Sequence, residues 1–430
     1  MNWTALLRSS PALYIAPVAV ALTILYYDDL SKYPSSWVSV FTAPADLLFL
    51  PAMLGAGIAA WDVGRLRKAR IDTWGGARSV YAATAQISIP AVTLALGTLL
   101  LMWGMGISRM SMRPFNVSWQ PVLVLLLVVI MWTVVGALAG WRLNRFFAMP
   151  SMAALAFLLE AYPPSVSDPF WRNLSGWSWS ECCDIGSSPV SELFLASVIW
   201  PCAVIVGGIV LLRRPAGPVR SLSALVVVTL GLGVSGHFAN GIGWAPVQKR
   251  DTAEQVCIEG GFEICMWPES EEFRPAVERS VEQTSSTLAL YGVELPRRVV
   301  ESPYDSLSEW NFRTSPVFSE EVQMNSILSG AVSEPGDCVF HGDDLTADDI
   351  TEFEVASMMR AWMNIVVLES TVEEELAQPW GPPIAQQGVA DVLSLEPVEQ
   401  GVWFGLLRSS LQECDYRMVL EALALVGGGR

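Results

Sequence analysis

The chain has 430 residues, 52% of them apolar and only 16% charged, with a mean hydropathy of +0.40, and its several long apolar runs exclude a large soluble protein. The net charge of −17 is unevenly spread: residues 1–243 carry 15 Lys+Arg against 10 Asp+Glu, whereas residues 244–430 carry 11 against 33. Such an acidic half repels phosphates, which excludes nucleic acid as its partner, and reads as a well-solvated surface.

In chain order the first apolar run covers residues 11–27, after Arg8 and before Asp28-Asp29. It has no small-residue cleavage site, so a retained helix is expected rather than a signal peptide. Further spans are expected at 46–63, 87–107, 120–141, 147–162, 192–212 and 222–240, seven in all. The densest basic cluster, Arg65-Leu66-Arg67-Lys68-Ala69-Arg70, falls at the tip of a hairpin between the second and third spans. Lys and Arg collect on the cytoplasmic side. The expected topology assigns eleven basic residues to the cytosol, Arg8, Arg65, Arg67, Lys68, Arg70, Arg78, Arg142, Arg145, Arg213, Arg214 and Arg220, against four outside before residue 244. The N-terminus is therefore expected inside and the acidic part outside. Between the cluster and the third span, residues 71–81 include Asp72, Trp74, Arg78 and Tyr81, and read as an interfacial docking segment.

Trp and Tyr gather at the expected span ends, where amphipathic rings favour the headgroup level. Gly136-x-x-x-Gly140, Gly207-Gly208 and Gly231-x-Gly233-x-x-Gly236 allow close helix approach, within the bundle or to a second membrane subunit. Asp46, Asp62 and Glu192 are expected at span ends within reach of water. Glu160 lies about one turn inside the fifth span, and intramembrane charge marks it as a candidate for a translocation cavity.

The external part opens with Val256-Cys257-Ile258-Glu259-Gly260-Gly261-Phe262-Glu263-Ile264-Cys265-Met266, strand-like alternation around a Gly-Gly turn. A three-residue loop pairs Glu259 with Glu263, Ile258 with Ile264 and Cys257 with Cys265, and predicts a cross-strand disulfide. It also places Val256, Ile258, Ile264 and Met266 on one face. Cys338 and Cys414 are then left to join each other, although four cysteines allow three pairings. Cys182-Cys183 is either paired or bridged elsewhere, and Cys202 reads as a small apolar residue in a span. Helices are expected from Phe273 until Gly292, over 346–367 behind the capping box Thr346-Ala347-Asp348-Asp349, and over 397–408 and 411–425, with a strand at 297–300. The chain thus reads as an α-helical polytopic membrane protein of about seven transmembrane helices, residues 1–243. Residues 244–430 form an acidic, mainly helical α/β extracytoplasmic domain.

Chemistry-bearing motifs are few. Gly231-Leu232-Gly233-Val234-Ser235-Gly236 matches a dinucleotide fingerprint but lies inside a span, away from any strand. There is no P-loop, no H-E-x-x-H and no C-x-x-C, and the chain has only two histidines, His237 and His341. The acidic run His341-Gly342-Asp343-Asp344 with Asp348-Asp349 fits no EF-hand spacing and suits a helix start. No catalytic residue, metal or cofactor is expected, and the chain does not read as an enzyme.

Trp3-Thr4-Ala5-Leu6-Leu7-Arg8-Ser9-Ser10-Pro11, the tip Trp61-Asp62-Val63-Gly64-Arg65-Leu66-Arg67-Lys68-Ala69-Arg70 and the segment through Tyr81-Ala82-Ala83-Thr84 resemble the membrane subunits of ABC-2-type exporters, especially an actinobacterial group. The resemblance covers roughly residues 1–240, and the seventh span and large external part exceed that family's six-helix plan. It implies a permease that works as a homodimer, or as a heterodimer with a related membrane subunit, in the cell membrane. It also implies a separate cytosolic ABC ATPase gripping a coupling element at residues 65–81, with Arg65, Arg67, Lys68, Arg70, Asp72, Trp74 and Arg78. The external part, with its Cys257 to Cys265 motif and closing Trp403-x8-Gln412-x-Cys414 stretch, resembles the tails of such membrane proteins. The alternative expectation is a non-transporting, membrane-anchored binding or regulatory protein. A polar cleft in the bundle would favour transport; a closed, apolar bundle would favour the anchor.

Overall fold

Within hydrocarbon each backbone N–H and C=O must be satisfied by its own segment, so long apolar runs take the helical form. The computed structural model describes residues 9–30, 36–68, 79–110, 118–180, 182–212, 217–244, 246–302, 309–314, 320–331, 352–371 and 383–427. It divides the chain into two units, Met1–Arg250 and Asp251–Arg430.

The first unit begins with α1 (Ala12–Leu30) and the short α2 (Trp37–Thr42), whose Ser36 cap exchanges hydrogen bonds with Ser39. A 3-10 turn then leads to α3 (Phe49–Lys68), and the chain bends by 52° at this join. Next come α4 (Val80–Arg109), α5 (Gln120–Arg142), α6 (Arg145–Ala161) and the short α7 (Pro169–Ser175). The strand β1 (Ser187–Pro189), α8 (Ser191–Leu212), α9 (Pro218–Ile242) and β2 (Val247–Lys249) complete the unit. Because β2 pairs antiparallel with β1, residues 247–249 belong with the helices.

Among the described residues α4, α5, α8 and α9 are long and apolar enough to cross a membrane, and a fifth span results if α2 and α3 count as one bent element. This is a smaller number than the seven expected. The apolar part of α1 covers only Ala12–Tyr27. The 17 residues of α6 reach about 25 Å at ~1.5 Å per residue, short of a core of about 30 Å. The third apolar run, expected to begin at residue 87, is helical from Val80, where the Ser79 side chain accepts the Ala82 N–H. Tyr81 is thus part of α4, and residues 71–78 lie outside the described residues.

At the centre of this unit is α3, buried along most of its length and packed on α4, α5 and α6. The contact with α5 depends on missing side chains. A Cβ on Gly136 would run into the carbonyl oxygen of Ala56, and one on Gly140 into that of Ala60. Both glycines of the α5 motif are therefore used inside the chain, as small residues are where lipid supplies little hydrophobic drive for association. Gly207 and Gly231 serve the α8–α9 contact against Val228 and Ala203 in the same way.

The second unit opens with β3 (Val256–Glu259) and β4 (Glu263–Met266), in the register expected, with Cys257 bonded to Cys265. The burial differs from the one-faced hairpin of the sequence reading. Val256 and Ile258 are exposed on the edge strand β3, whereas Ile264, Cys265 and Met266 are all buried on β4. The cause is the crossover α10 (Arg274–Ala289), which returns the chain as β5 (Arg298–Glu301) parallel to β4, followed by the parallel β6 (Trp310–Phe312). Five further helices follow among the described residues: α11 (Glu320–Ala331), α12 (Glu352–Leu368), α13 (Pro383–Val392), α14 (Pro397–Glu413) and α15 (Tyr416–Gly427). The capping box proposed at Thr346 lies outside the described residues. The first of the two closing helices runs five residues past its expected end, to Glu413, and stops at Cys414 in the left-handed region (φ 53°). Trp310, Trp362, Trp403, Phe312 and Phe404 fill the core.

Candidate functional site

The basic end of the helical unit is where the sequence placed its coupling residues, and α3 delivers three of them. Arg65 is half-buried: its guanidinium donates to the carbonyl of Ser9 and lies 3.6 Å from the carboxylate of Asp62. Asp62 was expected within reach of water but is only 1% exposed, and it accepts a hydrogen bond from Ser10 Oγ at 2.5 Å. One turn of helix separates Asp62 from Arg65, so the pair neutralises a charge that the bundle encloses. Arg67 donates to the carbonyl of Arg142 at 2.8 Å, where α5 runs out of its own N–H partners. Lys68 is exposed. Together these contacts fasten the start of α1 and the end of α5 to the last turns of α3. Arg70, Asp72, Trp74 and Arg78 lie outside the described residues.

Beside this clamp is a groove of about 390 Å³ between the end of α3 and the α5–α6 turn. Gly64, Arg67, Lys68, Leu143, Asn144, Arg145 and Phe146 line it. The Arg145 guanidinium lies 4.9 Å from the Trp61 ring and 4.8 Å from that of Phe146, and the two rings meet edge to face.

A second cavity, of about 480 Å³, lies between α4, α5 and α8. Its wall is apolar apart from the hydroxyls of Tyr81, Thr84, Ser88 and Thr133, and among the described residues no charged side chain lines it. Thr84 and Thr133 donate to carbonyls of their own helices, Val80 and Val129, and Thr84 also receives the indole N–H of Trp141. Ser88 Oγ is buried without a hydrogen-bond partner among the described residues, two residues before Pro90, which supplies no N–H to the helix. Of its lining residues, Tyr81, Ile130 and Ile209 are exposed.

Glu160 lines neither of these cavities. It is buried, and its Oε1 accepts the indole N–H of Trp132 at 2.6 Å, a polar link between α5 and α6. Cys182 and Cys183 are bonded to each other, and Cys202 is a free thiol. Cys414 is disulfide-bonded, and Cys338 lies outside the described residues.

The second unit holds a buried acid that carried no signal in the sequence. Glu301, at the end of β5, is wholly buried; its Oε1 accepts from Ser270 Oγ at 2.7 Å and from Thr314 Oγ1, and its Oε2 accepts the backbone N–H of Trp267 at 2.9 Å. Burial pushes its carboxyl up to about 7, against the opposing pull of these three donors. Arg274, the first residue of α10, is buried against the sheet, donating to the carbonyls of Ile264 and Val256 while paired with Glu271. Such groups fasten strands to helix; none faces a cavity described here. Cys257, Glu263 and Cys265 are grouped closely enough for a metal, but the disulfide removes both thiolates. The acidic run at 341–349 lies outside the described residues.

The Asp62–Arg65 pair was missed, although a carboxylate three residues before an arginine in an apolar helix is a signal that could have found it. Ser10 carried no such signal, being 52 residues away. No curated protein and no solved structure matches the chain. Residues 264–414, from the second strand of the hairpin to the cysteine that ends α14, match the model of a domain of unknown function, DUF7224.

Proposed function

We propose that the chain is the membrane subunit of an ABC-2-type export system, driven by a separate cytosolic ATPase that grips the turn between α3 and α4. In this reading the helical unit spans the membrane seven times, with the basic end in the cytosol and the acidic unit outside, and two membrane subunits pair to form the path. The observation that carries it is the clamp at the base of α3. A coupling loop moves a bundle only if the helices it joins are mechanically tied to the rest, and Asp62, Arg65 and Arg67 tie α3 to the start of α1 and the end of α5. The apolar cavity between α4, α5 and α8 suits a hydrophobic substrate drawn sideways from the bilayer.

A membrane-anchored binding or regulatory protein is the second reading. The glycine contact of α5 on the α3 backbone favours it, because a seam closed at that distance leaves no polar cleft between those helices.

Both readings are tested by purifying the intact protein from its native membrane in mild detergent, with a variant carrying Arg70→Ala and Arg78→Ala. Arg65 and Arg67 stay unaltered because their loss would also break the clamp. Recovery of an ATPase with the wild type and its loss with the variant is the expected result. If neither recovers an ATPase under conditions that preserve other membrane complexes, the export reading fails and the anchor stands.

A further inference from the structure

The groove at the basic end converges three cations on one concavity. Arg67 and Lys68 come from α3 and Arg145 from α6, and among the described residues no Asp or Glu lines it. The nearby carboxylate, Asp62, is buried and held by Ser10 and Arg65. Two of the three cations are positioned in advance: Arg67 by its bond to the Arg142 carbonyl, and Arg145 by the Trp61 and Phe146 rings. Cationic groups already in place lose little entropy on meeting an anion. The chemistry of the groove is therefore that of a phosphate group.

What surrounds it selects the source of that phosphate. Leu143, Phe146 and Phe147 are 47%, 60% and 71% exposed around the same turn, and α6 continues with exposed Leu155, Phe157, Leu158 and Leu159. A soluble phosphate has no use for that apolar wall. An anionic phospholipid fits both parts, with its headgroup among the cations and its chains along α6. We propose that this groove binds the headgroup of an anionic phospholipid. A zwitterionic lipid is disfavoured because its ammonium meets three like charges. The site is stated for the chain itself and stands whether or not the chain exports anything.

The test uses the full chain reconstituted in an equal mixture of phosphatidylglycerol and phosphatidylcholine, re-extracted in mild detergent, with the retained lipid measured by mass spectrometry. The wild type is expected to retain phosphatidylglycerol preferentially, the more so at low salt. Lys68→Gln and Arg145→Gln are each expected to lower that preference about fivefold, the factor for one cation near a lipid headgroup. Lys68→Arg is expected to keep it, as is Arg220→Gln on α9, outside the groove. Lys68 is exposed, so Lys68→Gln carries the test even if Arg145→Gln fails to fold, which size-exclusion chromatography reports. Equal retention of the two lipids by the wild type, or a preference that survives Lys68→Gln, overturns the proposal. Displacement of the lipid by millimolar inorganic phosphate overturns it too, by showing a free-phosphate site.

Discussion

The α3–α5 seam of the first unit and the aromatic core of the second hold helices together with different materials, although the first unit also buries Trp103, Trp132 and Trp179. In the first, α5 reaches α3 through Gly136 and Gly140, and the polar ties at the basic end are few and paired. In the second, the contacts are large: Trp310, Trp362 and Trp403 are each fully buried, with Phe312 and Phe404 beside them. Water drives large apolar rings into a core, whereas lipid tails are as apolar as leucine, so at the α3–α5 seam close approach supplies contact that a hydrophobic drive does not.

The contrast is broken most strongly at Trp362. Its ring packs on Phe404, Tyr291 and Trp403, with centroids 5.0, 5.5 and 6.3 Å away, and its N–H donates to Gln400 Oε1 at 2.9 Å. Trp362→Ala removes that volume and orphans a buried amide, so a loss of about 3–5 kcal/mol is expected. Hydrogen exchange on the full chain should show faster exchange in residues 251–430 and little change in α3 or α5. Equal loosening of both units would mean that their cores are not separate.

The next effect, about 3 kcal/mol, concerns pH. Glu301 titrates at about 7 when folded, above the ordinary glutamate value of 4.5. Between these values the folded chain holds a proton that the unfolded chain has lost, so stability is fullest below about pH 4.5, declines through the window and levels off above about pH 7. The second unit should therefore melt at higher temperature at pH 5 than at pH 8. Glu301→Gln, which cannot ionise, should flatten that slope. A slope unchanged in the variant would assign it to other groups.

The disulfide is expected to matter slightly less. Cys257 and Cys265 close a loop so short that its removal costs about 2–3 kcal/mol in the chain-entropy account. Since β3 is an exposed edge strand, the double Cys→Ser variant should fray Val256–Glu259 and leave β5 and β6 protected, as read by exchange at individual amides. Loss of protection throughout the sheet would show that the hairpin organises it.

How far the sequence revealed these features follows from the range of each interaction. The hairpin register was legible because its turn and both cysteines lie within eleven residues, and helix periodicity found α10 and most of α14. The burial of β4 on both faces was not, since it depends on β5, which arrives 35 residues later through a crossover. The spans expected at α1 and α6 are not among the described helices long and apolar enough to cross, since hydropathy registers apolar residues without regard to where a helix ends. At the candidate site, Arg65, Arg67 and Lys68 were visible as a cluster. That two of them are engaged with Ser9 and Arg142 was hidden, because backbone carbonyls leave no mark in a sequence.

The smallest change that separates the units is one methyl group. Gly136→Ala places a carbon against the carbonyl of Ala56, where no side chain can turn aside and only the helices can part. Overpacking of this kind costs about 1–3 kcal/mol. It should appear as a lower thermal midpoint for the detergent-solubilised bundle, with exchange in residues 251–430 untouched. Gly233→Ala on α9 meets nothing within 4 Å and should leave the midpoint where it was. If both substitutions act alike, loss of glycine itself rather than the α3–α5 contact governs the bundle, and close backbone approach is not what holds the first unit together.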